Sequence, residues 1–454
     1  RRREIMDRIG GLGGVRRGLA WLALLLLPSF AASAPEAALP PPRELSALED
    51  EPSGGLSLDD AIELLLQRNY DLRIKFQEIP KGRADVLSAG LRNNPSVFFS
   101  ADNIPYGNYS ARRPGDTDYE LTLIQPVDIN NKRRRRLQLA QRAERVTEAL
   151  YQDAVRQEID KLYTAYADVL EAAFSVRAAQ ADAALQSDWV KSIRDLVRPG
   201  SRPRAELTQA LVNQGRAETV QRKAEANLLQ SRRDLGVLLA APPEQADGLT
   251  PGGPIRDAAP LPPAVDDLIQ LALKIRPDLM AYRLNVNRAQ AQVRRTGAER
   301  IEDVILFYTP YQIQDFPGQA AQAAPGWEAG GLIVLPVFDR KQGDIARANV
   351  EVTQSQTEVQ GAEQQVINEV RQAATDYTVS RRSVQRYERE ILPGSRSVLA
   401  EKQRLFTSGR EGIDVLLTAR KDYNDVVRQY REVLFRHRRA MLKLNTAVGQ
   451  RLLP

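Results

Sequence analysis

The sequence predicts a mainly α protein with a membrane β portion, built as a duplicated helix–strand–strand–helix unit. Three observations carry that fold class. First, the chain from Val127 to Arg198 contains neither glycine nor proline and lies between Pro126 and Pro199. The absence of breakers, beside many Ala, Leu, Arg, Gln and Glu, predicts one long helix over 127–198. At 1.5 Å per residue it would reach roughly 100 Å, far more than a compact domain needs. Its apolar residues Val155, Ile159, Leu162, Tyr166, Val169, Ala173 and Val176 recur in steps of four and three, the heptad spacing of a left-handed coiled coil. Second, the landmarks of the first half return some 207 residues later. Third, each half carries two short runs of strand character ahead of its long helix.

In chain order, residues 1–34 read as an export signal. Arg16 and Arg17 precede the apolar run Leu19–Leu27, and Ala31-Ala32-Ser33-Ala34 offers small residues for cleavage. The run is too short to span a membrane, which takes ~20 residues. Residues 35–55, rich in Pro, Ala and Glu, form a mobile leader. The first repeat, 56–240, opens with Ser57 or Asp59 as helix cap. Strands follow near 95–101 and 119–126; in the second, Tyr119–Gln125, polar and apolar residues alternate as in a strand wet on one face. Next come the long helix, a hairpin tip near 198–204 and a second helix to Ala240. A Pro/Gly-rich linker spans 241–262.

The second repeat, 263–450, has strands near 302–309 and 329–337, a long helix over 340–406 and a tip near 404–414. Asp266-Asp267-Leu268-Ile269 echoes Asp59-Asp60-Ala61-Ile62, and Asp278-Leu279 echoes Asp71-Leu72, both at a spacing of 207. Asp303–Phe307 matches Ser96–Ser100 at the same spacing, Pro336-Val337 matches Pro126-Val127 at 210, and Gly409 matches Gly200 at 209. So constant a spacing marks an internal duplication. Two strand pairs cannot close a barrel, and lipid does not tolerate an open sheet edge. Several copies must therefore supply one barrel if the strands cross a membrane.

Composition narrows the chemistry. Lys plus Arg (64) and Asp plus Glu (58) nearly cancel, leaving a net charge of +6, as on long solvated helices rather than a nucleic-acid binder. There is no cysteine and one histidine, His437; Met6, Met280 and Met441 are the methionines. Disulfides, thiol chemistry, cysteine-ligated metals and an anchoring N-terminal cysteine are thereby excluded. Cu or Zn sites want clustered Cys, Met or His, so no metal site and no cofactor are expected. No nucleophile–base pair or phosphate loop stands out, and no enzyme is expected.

Several motifs together resemble the TolC-like family of outer-membrane efflux channels, over about residues 56 to 450. Asn69-Tyr70-Asp71-Leu72 and Arg276-Pro277-Asp278-Leu279 are similar to the family's repeat starts. Leu335-Pro336-Val337-Phe338-Asp339-Arg340 looks like its junction between second strand and long helix. The matching Gln125-Pro126-Val127-Asp128-Ile129-Asn130-Asn131-Lys132-Arg133 resembles the heavy-metal-resistance branch, the CzcC-like and CusC-like proteins. Ile391-Leu392-Pro393 is like the family's proline break, and Arg404–Gly409 with Ile413-Asp414-Val415-Leu416 like its periplasmic tip.

The resemblance implies a homotrimer whose four strands per protomer complete a twelve-stranded barrel in the outer membrane, continued by an α-helical coiled-coil barrel across the periplasm. It implies a periplasmic adaptor and an inner-membrane RND pump as partners, with this chain a passive conduit for metal cations or other small toxic solutes. Gly200, Arg202, Arg404, Phe406, Gly409 and Asp414 fall at the implied tip, for adaptor contact or gating. Pro126, Lys132, Arg133, Pro336 and Arg340 fall at the strand-to-helix junctions. At the tip the chain departs from the family: Leu417 stands where a second aspartate is common, and the first repeat has no counterpart of Asp414. The run Lys132–Arg136 is either a solvated helix start or an anchor to lipid phosphates. The competing readings are a periplasmic coiled-coil scaffold, which predicts no amphipathic strand pairs, and an adaptor protein, which would need a single hairpin flanked by small β-domains.

Overall fold

A computed structural model describes residues 55–102, 117–197, 204–252, 262–315, 325–408, 410–411 and 413–453. The expected export signal, the leader up to residue 54 and much of the two tips lie outside the described residues. The first repeat opens with two capped helices. The Ser57 hydroxyl accepts from the Asp60 amide at 3.1 Å to start α1 (Leu58–Arg68), and Asp59 and Asp60 complement the positive helix end. The Asn69 side chain accepts from the Leu72 amide at 2.9 Å, starting α2 (Tyr70–Gly90), and donates to the Leu238 carbonyl at 3.0 Å.

Strands β1 (Ser96–Asp102) and β2 (Thr117–Val127) pair antiparallel, and α3 (Lys132–Val197) follows. The helix begins at Lys132 instead of 127. Asn131 takes a left-handed conformation, φ 58°, and Asp128 accepts from the backbone amides of Asn130, Lys132 and Arg133 at 3.1, 2.9 and 2.8 Å. These bonds satisfy the free amides of the first turn and fix the start. Helix α4 (Arg204–Leu238) completes the repeat, and the short helix α5 (Pro243–Ala246) lies in the stretch read as linker.

The second repeat runs α6 (Val265–Ile275), α7 (Pro277–Ala298), β3 (Val304–Asp315), β4 (Pro325–Leu332) and α8 (Gln342–Arg386). A π-helical turn, Tyr387–Ile391, leads into α9 (Leu392–Thr407), and α10 (Ile413–Val448) ends the fold. The proline break expected at Ile391-Leu392-Pro393 is therefore no break. A proline ring collides with the carbonyl four residues earlier, and the wider turn just before Pro393 makes room for it. Lys341, φ 57°, mirrors Asn131 at the head of α8. Strand β4 stops at Leu332, short of the expected 337. Its antiparallel partner β3 begins only at Val304, with Ile305 opposite Leu332, so no described strand of the chain pairs with residues 333–337.

The strands form one antiparallel sheet in the order β1-β2-β3-β4, joining the two repeats through β2 and β3. Below the sheet α3 is the central stave, packing against α2 and α7 over its first part and α4 and α10 further on; α8 packs against α7 and α10. Of the heptad positions in α3, Leu162, Tyr166, Val169 and Val176 are buried. Val190 and Ile193 of α3 meet Ala210 and Leu207 of α4. A larger cluster joins Leu268 and Ile269 of α6, Val366, Val370 and Tyr377 of α8, and Met441, Leu444 and Val448 of α10. No described helix is long and apolar enough to cross a membrane.

Candidate functional site

The sheet has two chemically different faces. Val97 and Phe99 of β1 lie opposite Leu123 and Leu121 of β2, and with Tyr119, Leu306, Tyr308 and Trp327 they are exposed. The other face carries Phe98 and Phe307 beside a hydrogen-bonded polar cluster. Thr122 and Thr309 are buried with their hydroxyls 2.9 Å apart, Thr122 donates to Glu120 at 2.5 Å, and Ser100 donates to the same carboxylate at 3.4 Å. An exposed aromatic and aliphatic face backed by hydrogen-bonded polar groups is the pattern of a barrel wall with lipid outside and water inside. On the polar face the Phe307 ring lies across Gly330, where an added Cβ would sit 2.4 Å from it. Strands β1 and β4 present free edges at the two sides of the sheet.

The strand-to-helix junctions couple the repeats. Pro126 is paired with Ile305 within the ladder. Lys132 bridges to Asp303 at 2.7 Å. Arg133 donates to the Gly90 carbonyl at 3.1 Å, and Arg136 to Ala89 and Leu91 at 3.0 and 2.9 Å. Cations belong at a helix C-terminus, where carbonyls lack partners, so these two arginines cap α2. Most of the run Lys132–Arg136 thus has a structural task, and Arg134 is exposed. Burial works against the ionised Asp128 carboxyl, yet the three amides and Lys132 hold it below the usual carboxylate range. Arg340 donates to the Val337 carbonyl at 3.3 Å, and Pro336 lies in the segment after β4.

Midway along the helices sits a brace with little trace in the sequence. Arg276, 2 % exposed, donates to Asp278 at 3.0 and 2.5 Å, to Glu369 at 2.6 Å and to the Ala447 carbonyl at 3.0 Å. Arg156 of α3 reaches Asp278 at 3.6 Å, so α3, α7, α8 and α10 meet here. Gly449 follows α10 with φ +86°, and a Cβ there would lie 3.1 Å from the Arg276 side chain; the cap needs glycine for both reasons. Asn69 occupies the equivalent place in the first repeat, bonding Leu238 as Arg276 bonds Ala447. The spacing of 207 relates the two residues, and their different chemistry hides the shared role.

The tip residues are not brought into one described site. Gly200, Arg202 and Gly409 lie outside the described residues. Phe406 falls in α9 and Asp414 in α10, with side chains also outside them. Arg404 is exposed on α9, near an ion pair of Lys402 with Glu411 at 2.7 Å. Among the described residues no group of three His, Asp or Glu side chains could hold a metal ion.

His437 is buried, its Nδ1 3.0 Å from the Ser380 hydroxyl and its ring 5.2 Å from that of Tyr377. Burial, with Arg381 and Arg438 nearby, lowers its pKa to about 4. The unfolded imidazole takes its proton near 6.5. Between these values the unfolded chain binds more protons, so stability present above pH 6.5 is lost as the pH falls towards 4. The expected loss is on the order of 1–3 kcal/mol per protomer after discounting for solvent screening. Thermal midpoints at pH 7.5 and 5 should separate in the wild type and converge in His437→Gln; an equal separation in both would refute the assignment.

Residues 61–241 match the family described as outer membrane efflux protein. Over 378 residues the chain is 27 % identical to the cobalt-zinc-cadmium resistance protein CzcC of Cupriavidus metallidurans, covering 81 % of this chain and 84 % of that one. Among solved structures, CusC superposes with a TM-score of 0.72 at 16 % identity, covering 87 % of this chain and 93 % of that one. VceC of Vibrio cholerae superposes with a TM-score of 0.69 at 17 % identity, covering 87 % and 96 %. These solved structures share the architecture of duplicated repeat, strands and long helices described above. In sequence the chain is similar to CzcC, its residues 61–241 match the outer membrane efflux protein family, and its fold is that of CusC and VceC.

Proposed function

We propose that this chain is the outer-membrane conduit of a tripartite efflux system that exports divalent metal cations. The observation that carries this reading is the two-faced sheet with two free edges, mounted on staves roughly 100 Å long by their residue count. A free edge is not tolerated in lipid. Three copies joined β1 to β4 close a twelve-stranded barrel, and the helices continue it as a periplasmic tunnel. The likeness to a cobalt-zinc-cadmium resistance protein favours metal cargo. Metal is cargo here, selected by an inner-membrane RND pump and passed on through a periplasmic adaptor; the conduit itself is passive.

In this reading residues 1–34 direct export, 56–240 and 263–450 are the two repeats, and 241–262 links them. Gly200, Arg202, Arg404, Phe406, Gly409 and Asp414 meet the adaptor or gate the tunnel. The test is complementation in cells that retain the cognate pump and adaptor but lack this gene. Restored growth in cobalt, zinc or cadmium, with the protein in the outer-membrane fraction, is the expected result. Outer-membrane recovery without restored metal tolerance would reject metal cargo, and recovery in the soluble periplasm would reject the conduit.

A further inference from the structure

Helices α3 and α7 flank a solvent-accessible groove of about 270 Å³ that the conduit reading leaves unexplained. Arg142 and Arg145 of α3 and Arg294 of α7 line it, together with the amides of Gln141, Asn287 and Gln290. No carboxylate lines it. Among the described residues none of the three arginines forms an ion pair, whereas Arg83, Arg156, Arg276, Arg283 and Arg295 each face an acidic partner. Arg145 and Arg294 are exposed and Arg142 is half-buried, so the groove concentrates positive charge where an anion can reach it.

We infer that this groove is a binding site for a phosphate-class oxyanion. Guanidinium groups match the paired oxygens of phosphate through two parallel N–H donors, and the amide side chains supply further donors. Arg142 stands ten residues into α3, roughly 15 Å along the helix from the strand-to-helix junction. Two sources share this chemistry, a soluble phosphate and the headgroup of an anionic phospholipid, and the arms of the test separate them.

The test uses the full-length channel in phosphatidylcholine nanodiscs, with inorganic phosphate titrated against chloride at equal ionic strength. Phosphate is expected to raise the unfolding midpoint in a concentration-dependent way beyond any effect of chloride. Arg142→Gln/Arg294→Gln should weaken phosphate binding at least ~10-fold for each charge-assisted hydrogen bond removed. In phosphate-free buffer this double variant should be no less stable than the wild type, because mutual repulsion is removed; a structural role for the arginines predicts the opposite. In a second arm, phosphatidylglycerol replaces part of the phosphatidylcholine without free phosphate. A midpoint shift there that the double variant loses identifies the headgroup as the source. The site is rejected if neither phosphate nor phosphatidylglycerol stabilises the wild type beyond its control, or if the double variant keeps the full shift.

Discussion

Replacing Arg276 with methionine is expected to destabilise the folded protomer by about 3 kcal/mol, towards the lower end of what breaking a buried ion pair costs. The side chain is 2 % exposed, while Asp278 and Glu369 are 21 % and 38 % exposed. The carboxylates can therefore recover some hydration, and Asp278 keeps Arg156 and the Leu279 amide. Methionine fills much of the volume, so the loss is electrostatic. Burial alone would raise the Asp278 pKa, but its bonds to Arg276 hold it below the usual carboxylate range. A depressed carboxylate contributes stability above its unfolded value, near 3.9, and that contribution disappears as the pH falls through the depressed value. The variant should thus lose stability at neutral pH and show a shallower acid limb below about pH 4. Urea midpoints at pH 7 and 3.5 measure both effects. Adding Asp278→Asn and Glu369→Gln should recover much of the loss, since neutral groups leave no unpaired charge. An Arg276→Met variant within about 0.5 kcal/mol of wild type would show the brace to be dispensable.

The duplication was legible because landmarks spaced by 207 to 210 stand in one order, and a glycine- and proline-free run reads as a helix without any tertiary help. Boundaries were less legible. The start of α3 depends on a left-handed Asn131 and on Asp128 bonding three amides; Val127 belongs to β2, although nothing in its own chemistry separates it from a helix. The end of β4 depends on where β3 runs out, which is a property of the partner strand. Arg276 stood out only as part of a repeat start, and its bracing role stayed hidden for a different reason. A repeat search finds like residues, and here Asn69 and Arg276 do similar work with unlike side chains. Conversely, Lys132–Arg136 invited an electrostatic reading from its charge alone, whereas the carbonyls that engage Arg133 and Arg136 belong to the end of another helix. Long-range partners of this kind leave no local trace.

Leu121→Arg should prevent stable insertion, whereas the same charge on the opposite face, Glu328→Arg, should be accepted. Leu121 is 43 % exposed at mid-strand, beside Phe99 on β1, on the face that carries Tyr119 and Leu123. An arginine at the middle of a barrel's lipid face costs about 2–4 kcal/mol per copy, falling towards zero near the interfaces. Glu328 is exposed and lies opposite Thr309, whose hydroxyl belongs to the polar network of Glu120 and Thr122. A cation there meets water and carboxylate instead of acyl chains, so the expected change is within about 0.5 kcal/mol. Outer-membrane fractionation and the unfolding midpoint of recovered protein separate the two variants. Equal recovery of both would mean that the apolar face does not meet lipid, and exclusion of Glu328→Arg alone would invert the sheet. Glu328→Arg changes the charge by two and Leu121→Arg by only one, so acceptance of the larger change on the polar face makes the face, and not the charge, decisive.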